Sequence, residues 1–126
     1  MSERARPHVL IVDDSRLELE MARNALEPRC DVTLATSAEE ALERLRESTV
    51  DLILSDLTMP GLSGLELLAR TQREHPGMDF VLLTGHASVE SAVEALRMGA
   101  ADYLRKPIQG EELAYVVERT LARRLL

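Results

Sequence analysis

Val9-Leu-Ile-Val-Asp-Asp14 decides how this chain is read. Four consecutive apolar residues, three of them β-branched, show no alternation. That pattern describes a strand buried on both faces, as in a parallel sheet covered by helices. Two carboxylates follow at once, so the strand ends on charge. Four more short runs lie downstream: Val32-Thr-Leu-Ala35, Leu52-Ile-Leu54, Phe80-Val-Leu-Leu83 and Ala101-Asp-Tyr-Leu104. Helical spacing fills the gaps. Leu19, Ala22 and Leu26 mark the first helix, Leu42 and Leu45 the second, and Val89, Ala92, Val93 and Leu96 the fourth. Leu113, Val116, Val117 and Leu121 mark the fifth. Ser37-Ala-Glu-Glu40 and Ser63-Gly-Leu-Glu66 have capping-box spacing and open the second and third helices. Pro28 and Pro76 stop the first and third, and Gly99 is placed to cap the fourth. Strict alternation predicts an α/β fold: one doubly wound, five-stranded parallel sheet with five helices.

Composition narrows the class. At 126 residues with 45% apolar content, the chain supports one domain with a real core. The expected division is a tail over 1–7 and one domain over 8–126. Twenty-two acidic residues against 15 basic give a net charge of -7, which disfavours phosphate backbones, so no nucleic-acid partner is expected. One cysteine, Cys30, reads as a small apolar filler and demands no oxidising compartment. The N-terminus carries charge and no signal-type apolar core, and no run approaches the roughly 20 residues of a membrane span. A soluble, cytoplasmic protein with no membrane partner is expected. Arg119, Arg123 and Arg124 read as a solvated face of the last helix or, more sharply, as the start of a helix continuing toward a dimer or output domain. Nearly all the positive charge is arginine, and Lys106 is the only lysine.

Ligands of an open parallel sheet bind beyond the carboxyl ends of its strands. Asp13 and Asp14 follow the first run, Thr36 the second, Asp56 the third, Thr84 the fourth and Lys106 the fifth. Helix capping accounts for Asp13-Asp14 in isolation, and a turn before Pro60-Gly61 accounts for Asp56. Together they point elsewhere. Three carboxylates on one rim repel unless a cation joins them, and hard oxygen ligands suit Mg²⁺. A carboxylate can also attack phosphorus, with Asp56 the candidate nucleophile. Asp13 and Asp14 would hold the metal, and Thr84 and Lys106 would contact phosphoryl oxygens. Lysine suits a place where a compact ammonium must reach across a strand, and the Lys106-Pro107 bond is a candidate cis bond.

With these residues in view, the chain resembles the receiver domains of two-component response regulators. The resemblance rests on Val9-Leu-Ile-Val-Asp-Asp14, Asp56-Leu-Thr-Met-Pro-Gly61, Leu83-Thr84 and Tyr103-Leu-Arg-Lys-Pro107, and runs from about His8 onward. Residues Leu83 to Ala95 are similar to receivers of sigma-54-dependent, NtrC-type regulators. The resemblance implies a flavodoxin-like strand order 2-1-3-4-5 and Mg²⁺-dependent phosphoryl transfer to Asp56. The donor it implies is a phosphohistidine on a sensor histidine kinase or phosphotransfer protein. It implies metal ligation by Asp14, Asp56 and the Thr58 backbone carbonyl with Asp13 nearby, and a switch through Thr84 and Tyr103. It further implies either the N-terminal receiver of a larger transcriptional regulator or a stand-alone receiver.

Thr58 and His86, two residues after Asp56 and Thr84, flank the path of a hydrolytic water and are assigned to tuning phosphoryl lifetime. The switch would remodel the face of the fourth helix, fifth strand and fifth helix, where Met98 and Tyr115 would expose a partner or homodimer surface. His8 and His75 receive no role. Two alternatives fail on particular residues. A haloacid-dehalogenase-like phosphatase wants an aspartate where Thr58 stands, and a flavodoxin wants a phosphate loop where Asp13-Asp-Ser-Arg16 stands. No Gly-rich phosphate loop precedes a helix. The reading is therefore a signalling switch, not an enzyme acting on free substrates.

Overall fold

A computed structural model describes residues 6–123. The element order is β1 (His8–Val12), α1 (Arg16–Leu26), β2 (Asp31–Ala35), α2 (Ala38–Glu47), β3 (Leu52–Ser55), α3 (Gly64–Glu74), β4 (Asp79–Thr84), α4 (Val89–Arg97), β5 (Asp102–Arg105) and α5 (Gly110–Ala122). Residues 1–5 of the expected tail and Arg124 lie outside the described residues, as does any continuation of α5 beyond Arg123.

The strands form one parallel sheet in the order β2-β1-β3-β4-β5. Successive side chains of a strand face opposite sides, and the uninterrupted runs feed two cores. Val9, Ile11, Leu52, Leu54, Val81 and Leu83 meet α1 and α5 through Leu19, Leu26, Leu113 and Val117. Leu10, Val12, Ile53, Phe80 and Leu82 meet the other layer through Ala38, Ala41, Leu67, Leu68 and Ala95. Cys30 is buried in the first core, as a filler should be.

The helix starts follow local chemistry, with one difference. The capping box at Ser63 is closed, because Glu66 Oε1 accepts from Ser63 N at 2.8 Å while Ser63 Oγ accepts from Glu66 N at 3.2 Å. The box expected at Ser37 is only half made. Ser37 Oγ accepts from Glu40 N at 3.0 Å, but Glu40 Oε1 turns one residue further back to the Thr36 N–H at 2.7 Å. Gly99 takes φ +106 after α4, as its capping place requires.

The fourth helix departs most from expectation. Helical spacing puts Val89, Val93 and Leu96 on one apolar face, yet they are 80%, 44% and 52% exposed. The helix buries Ala95 instead. Small residues let a helix backbone sit close to the sheet, and the larger apolar stripe is then left facing water.

Candidate functional site

The carboxyl ends of β1 and β3 lie side by side where strand order reverses, and β5 lies beyond β4 at the edge of the sheet. Asp13 follows β1 and is buried, with Asp13 N donating to Ala35 O at 3.1 Å. Asp56 follows β3, with Asp56 N donating to Val12 O at 2.9 Å. The sheet ladder thus runs on by one bond at each strand end and fixes both aspartates. Asp13, Asp14 and Asp56 each offer a carboxylate oxygen, and these lie within 4.8 Å of one another. Asp14 is the exposed member.

Lys106 crosses from the end of β5. Its Nζ donates to Asp13 Oδ2 at 2.7 Å and to Asp56 Oδ2 at 3.2 Å. The Lys106-Pro107 peptide bond is cis. Asp56 Oδ1 accepts from the Leu57 and Thr58 backbone N–H groups at 2.6 and 3.3 Å. One carboxylate edge is therefore held by the backbone and the other faces the ammonium. Burial pushes the Asp13 carboxyl above its ordinary value, against the opposing pull of the Lys106 and Ser15 hydrogen bonds. Burial alone would lower Lys106, but Asp13 and Asp56 together hold its pKa above the usual lysine value.

The donor set suits a hard divalent cation: three clustered carboxylates, one half-paired with an ammonium and one destabilised as an anion by burial. Thr58 is exposed at the rim. Thr84 ends β4 fully buried, its hydroxyl accepting from His86 N at 3.0 Å, and His86 itself is exposed. Thr36 shares the strand-end rim but does not join the cluster, because its hydroxyl donates to Glu40 Oε1 at 3.0 Å.

Tyr103 is part-buried on β5, and its hydroxyl is engaged by α4. It accepts from Ser88 N at 3.4 Å and bonds the Ser91 hydroxyl. Ser88 caps that helix, so Tyr103 is tied to its first turn. Met98 packs partly buried against the core. Tyr115 is 61% exposed, as expected of a surface residue. Arg119 is folded back, donating to Asp102 Oδ2 at 3.0 Å and lying 5.4 Å from the Tyr115 ring centroid.

Two residues at the site escape the sequence reading. Gly64, the first residue of α3, sits so close to the segment leaving β3 that a Cβ there would lie 2.2 Å from the Asp56 carbonyl oxygen. Glu18 on α1 places Oε1 3.4 Å from Lys106 Nζ. Both stand inside capping patterns, which account for them locally and hide the second role.

A sequence model described as the response regulator receiver domain matches residues 9–118. The chain is 34% identical over 113 residues to the DNA-binding transcriptional regulator NtrC of Escherichia coli (strain K12), covering 90% of this chain and 24% of that protein. It is 36% identical over 115 residues to the transcriptional regulatory protein ZraR of the same strain, covering 90% and 26%. The chain thus spans about a quarter of the length of these curated relatives. A CheY-like response regulator receiver domain protein from Methanospirillum hungatei JF-1 superposes with a TM-score of 0.92 at 31% identity, over 96% of this chain and 98% of that one. NtrX from Brucella abortus, in complex with ADP, gives 0.90 at 30% identity, over 96% of this chain and 28% of that one.

Proposed function

Because the chain belongs to the response regulator receiver domain family of two-component signalling, we propose that it accepts a phosphoryl group on Asp56 and signals through the face built by α4, β5 and α5. The observation that carries this reading is the Lys106 ammonium, held between Asp13 and Asp56 at 2.7 and 3.2 Å. An Asp56 carboxylate oxygen attacks the phosphorus of a phosphohistidine on a histidine kinase or phosphotransfer protein, and the P–N bond breaks. Lys106 then exchanges its Asp56 partner for a phosphoryl oxygen, and the Thr84 hydroxyl donates to another. Asp13, Asp14, Asp56 and the Thr58 carbonyl would hold Mg²⁺. Bound there, Mg²⁺ supplies neutralising charge and a fixed array for the phosphoryl oxygens.

Drawing Thr84 toward a phosphoryl group breaks its bond with the His86 N–H, the first contact of the β4–α4 loop. Tyr103 reads that loop through Ser88 and Ser91. The exposed Val89, Val93, Leu96 and Tyr115 then supply apolar area for a partner or a second copy. Thr58 and His86 stand at the open rim, where they would tune phosphoryl lifetime. The fusion of receivers to larger regulators in NtrC and ZraR supports a role within a longer regulator.

The test is incubation with Mg²⁺ and a small acyl phosphate, followed by peptide mass mapping. An adduct on Asp56 that needs Mg²⁺ is expected. An adduct elsewhere, or one that forms equally in chelator, overturns the reading. Metal binding should also carry a pH signature. The Asp13 carboxyl must be ionised to bind, and burial raises its pKa. Mg²⁺ affinity should therefore fall on acidification before an ordinary aspartate would begin to protonate. Calorimetric titration across the acidic range checks this, and Asp13→Asn should flatten the profile.

A further inference from the structure

Ser15-Arg-Leu-Glu18 has the spacing of a capping box. Half of it forms, since Ser15 Oγ accepts from Glu18 N at 3.3 Å. The return bond has no donor, because Ser15 N already donates to Asp13 Oδ1 at 3.0 Å. In α3 the equivalent carboxylate closes its box. Here Glu18 is released, and its Oε1 reaches to 3.4 Å from Lys106 Nζ. Glu18 thus becomes the third carboxylate on the one ammonium, after Asp13 and Asp56.

Its position gives it two faces. Glu18 lines the small cavity beside Asp13 and Asp56, and also a 320 Å³ groove with Met21, Leu83, Pro107 and Ile108. It forms part of the wall between the groove and the site. Three aspartates, one lysine and a divalent cation sum to zero, and Glu18 returns the rim to net negative. A phosphoryl oxygen bonded to Lys106 would sit about 3 Å from Nζ, and so within roughly 6 Å of the Glu18 carboxylate.

We propose that Glu18 selects the phosphodonor by charge, disfavouring small polyanionic acyl phosphates and favouring donors that carry a cationic group beside the phosphoryl. This rests on phosphoryl acceptance at Asp56. Lys106 is already placed by the shorter Asp13 bond, so the long, part-exposed Glu18 contact adds little to its position. The full negative charge is still felt by an arriving donor. At this range one unit of donor charge changes the rate by about three- to ten-fold.

The experiment compares two donors with Mg²⁺ present. Acetyl phosphate is a dianion near neutral pH; Asp56 attack breaks its P–O bond, and acetate leaves with the electron pair. Phosphoramidate is a monoanion; attack breaks its P–N bond, and ammonia leaves and takes a proton from solvent. Initial rates of Asp56 labelling are measured for wild type, Glu18→Gln and Glu18→Asp. Glu18→Gln keeps a carbonyl for Lys106 and removes the charge. The acetyl phosphate to phosphoramidate rate ratio should rise at least about three-fold in Glu18→Gln and stay near wild type in Glu18→Asp. The shift should shrink in about 0.5 M salt. An unchanged ratio in Glu18→Gln, with Asp56 labelled by both donors, overturns the role of Glu18 and leaves phosphoryl acceptance intact. No Asp56 labelling of wild type by either donor overturns both.

Discussion

Replacing Lys106 by arginine should leave the fold nearly as stable as wild type and cost about 10²-fold in affinity for a phosphoryl mimic such as beryllofluoride. The two effects separate because charge and shape separate. Asp13 is buried, and its nearest cation is Lys106 at 2.7 Å. Arginine keeps that charge, so the carboxylates remain compensated. Its planar fork, however, bridges two carboxylates at once and fixes them as a pair. The ammonium can rotate a donor from Asp56 toward an arriving oxygen, and a guanidinium locked across Asp13 and Asp56 cannot. Lys106→Ala separates the terms from the other side. It strands Asp13 beside Asp56 without a cation, and about 2–4 kcal/mol of stability should be lost in chelator. The pairing raises the folded-state pKa of Lys106, so its stabilisation is full below the ordinary lysine pKa and is lost only as pH rises through the raised value. The alanine penalty should therefore be constant through neutral pH and shrink in strong base. Thermal melts and beryllofluoride titrations on the two variants check both halves. An arginine variant that binds the mimic like wild type sinks the argument from shape.

The fold was legible because a buried parallel strand has no polar face. Val9 to Val12 and Phe80 to Leu83 are short, continuous apolar runs that fit buried strands, and the helical patterns between them fix the crossovers. The acidic cluster was legible for a topological reason: the residue after each strand lands on one edge whatever its side chain. What escaped was contact. Periodicity identified the apolar stripe of α4, but it assumes that the larger residues face inward. Ala95 is buried and Leu96 is exposed, because the separation of helix and sheet sets the size of residue that fits, and that separation is a tertiary quantity. Glu18 and Glu40 show a second cause. Each sits three residues after a serine, and the local pattern predicts a return bond to the cap. In each case the carboxylate found another partner, the Thr36 backbone for Glu40 and a lysine 88 positions away in sequence for Glu18.

Gly64→Ala should be the most damaging single-methyl change near the site. The added carbon would stand 2.2 Å from the Asp56 carbonyl oxygen and 2.9 Å from Leu57 Cα. Both are backbone atoms, so no rotamer change relieves the clash. Gly64 N also donates to Leu57 O at 2.8 Å, which staples the start of α3 to the segment leaving β3. Relief must come from sliding α3 or from moving the Asp56–Thr58 backbone. The first option unpacks Leu67 and Leu68, which are fully buried. The second takes the Leu57 and Thr58 N–H groups away from Asp56 Oδ1 and re-aims the carboxylate that faces Lys106. Overpacking of this kind costs about 1–3 kcal/mol, and backbone atoms on the far side of the contact put the expected loss at the upper end. Beryllofluoride binding should fall by at least about ten-fold even at temperatures where the variant remains folded, since the carboxylate has moved. Gly85→Ala is the matched control: nothing lies within 4 Å of its added carbon, and its φ is not in the left-handed region. That change should shift stability by no more than about 1 kcal/mol. Equal melting temperatures for the two alanine variants would show that α3 does not hold the phosphoacceptor segment by close approach at Gly64.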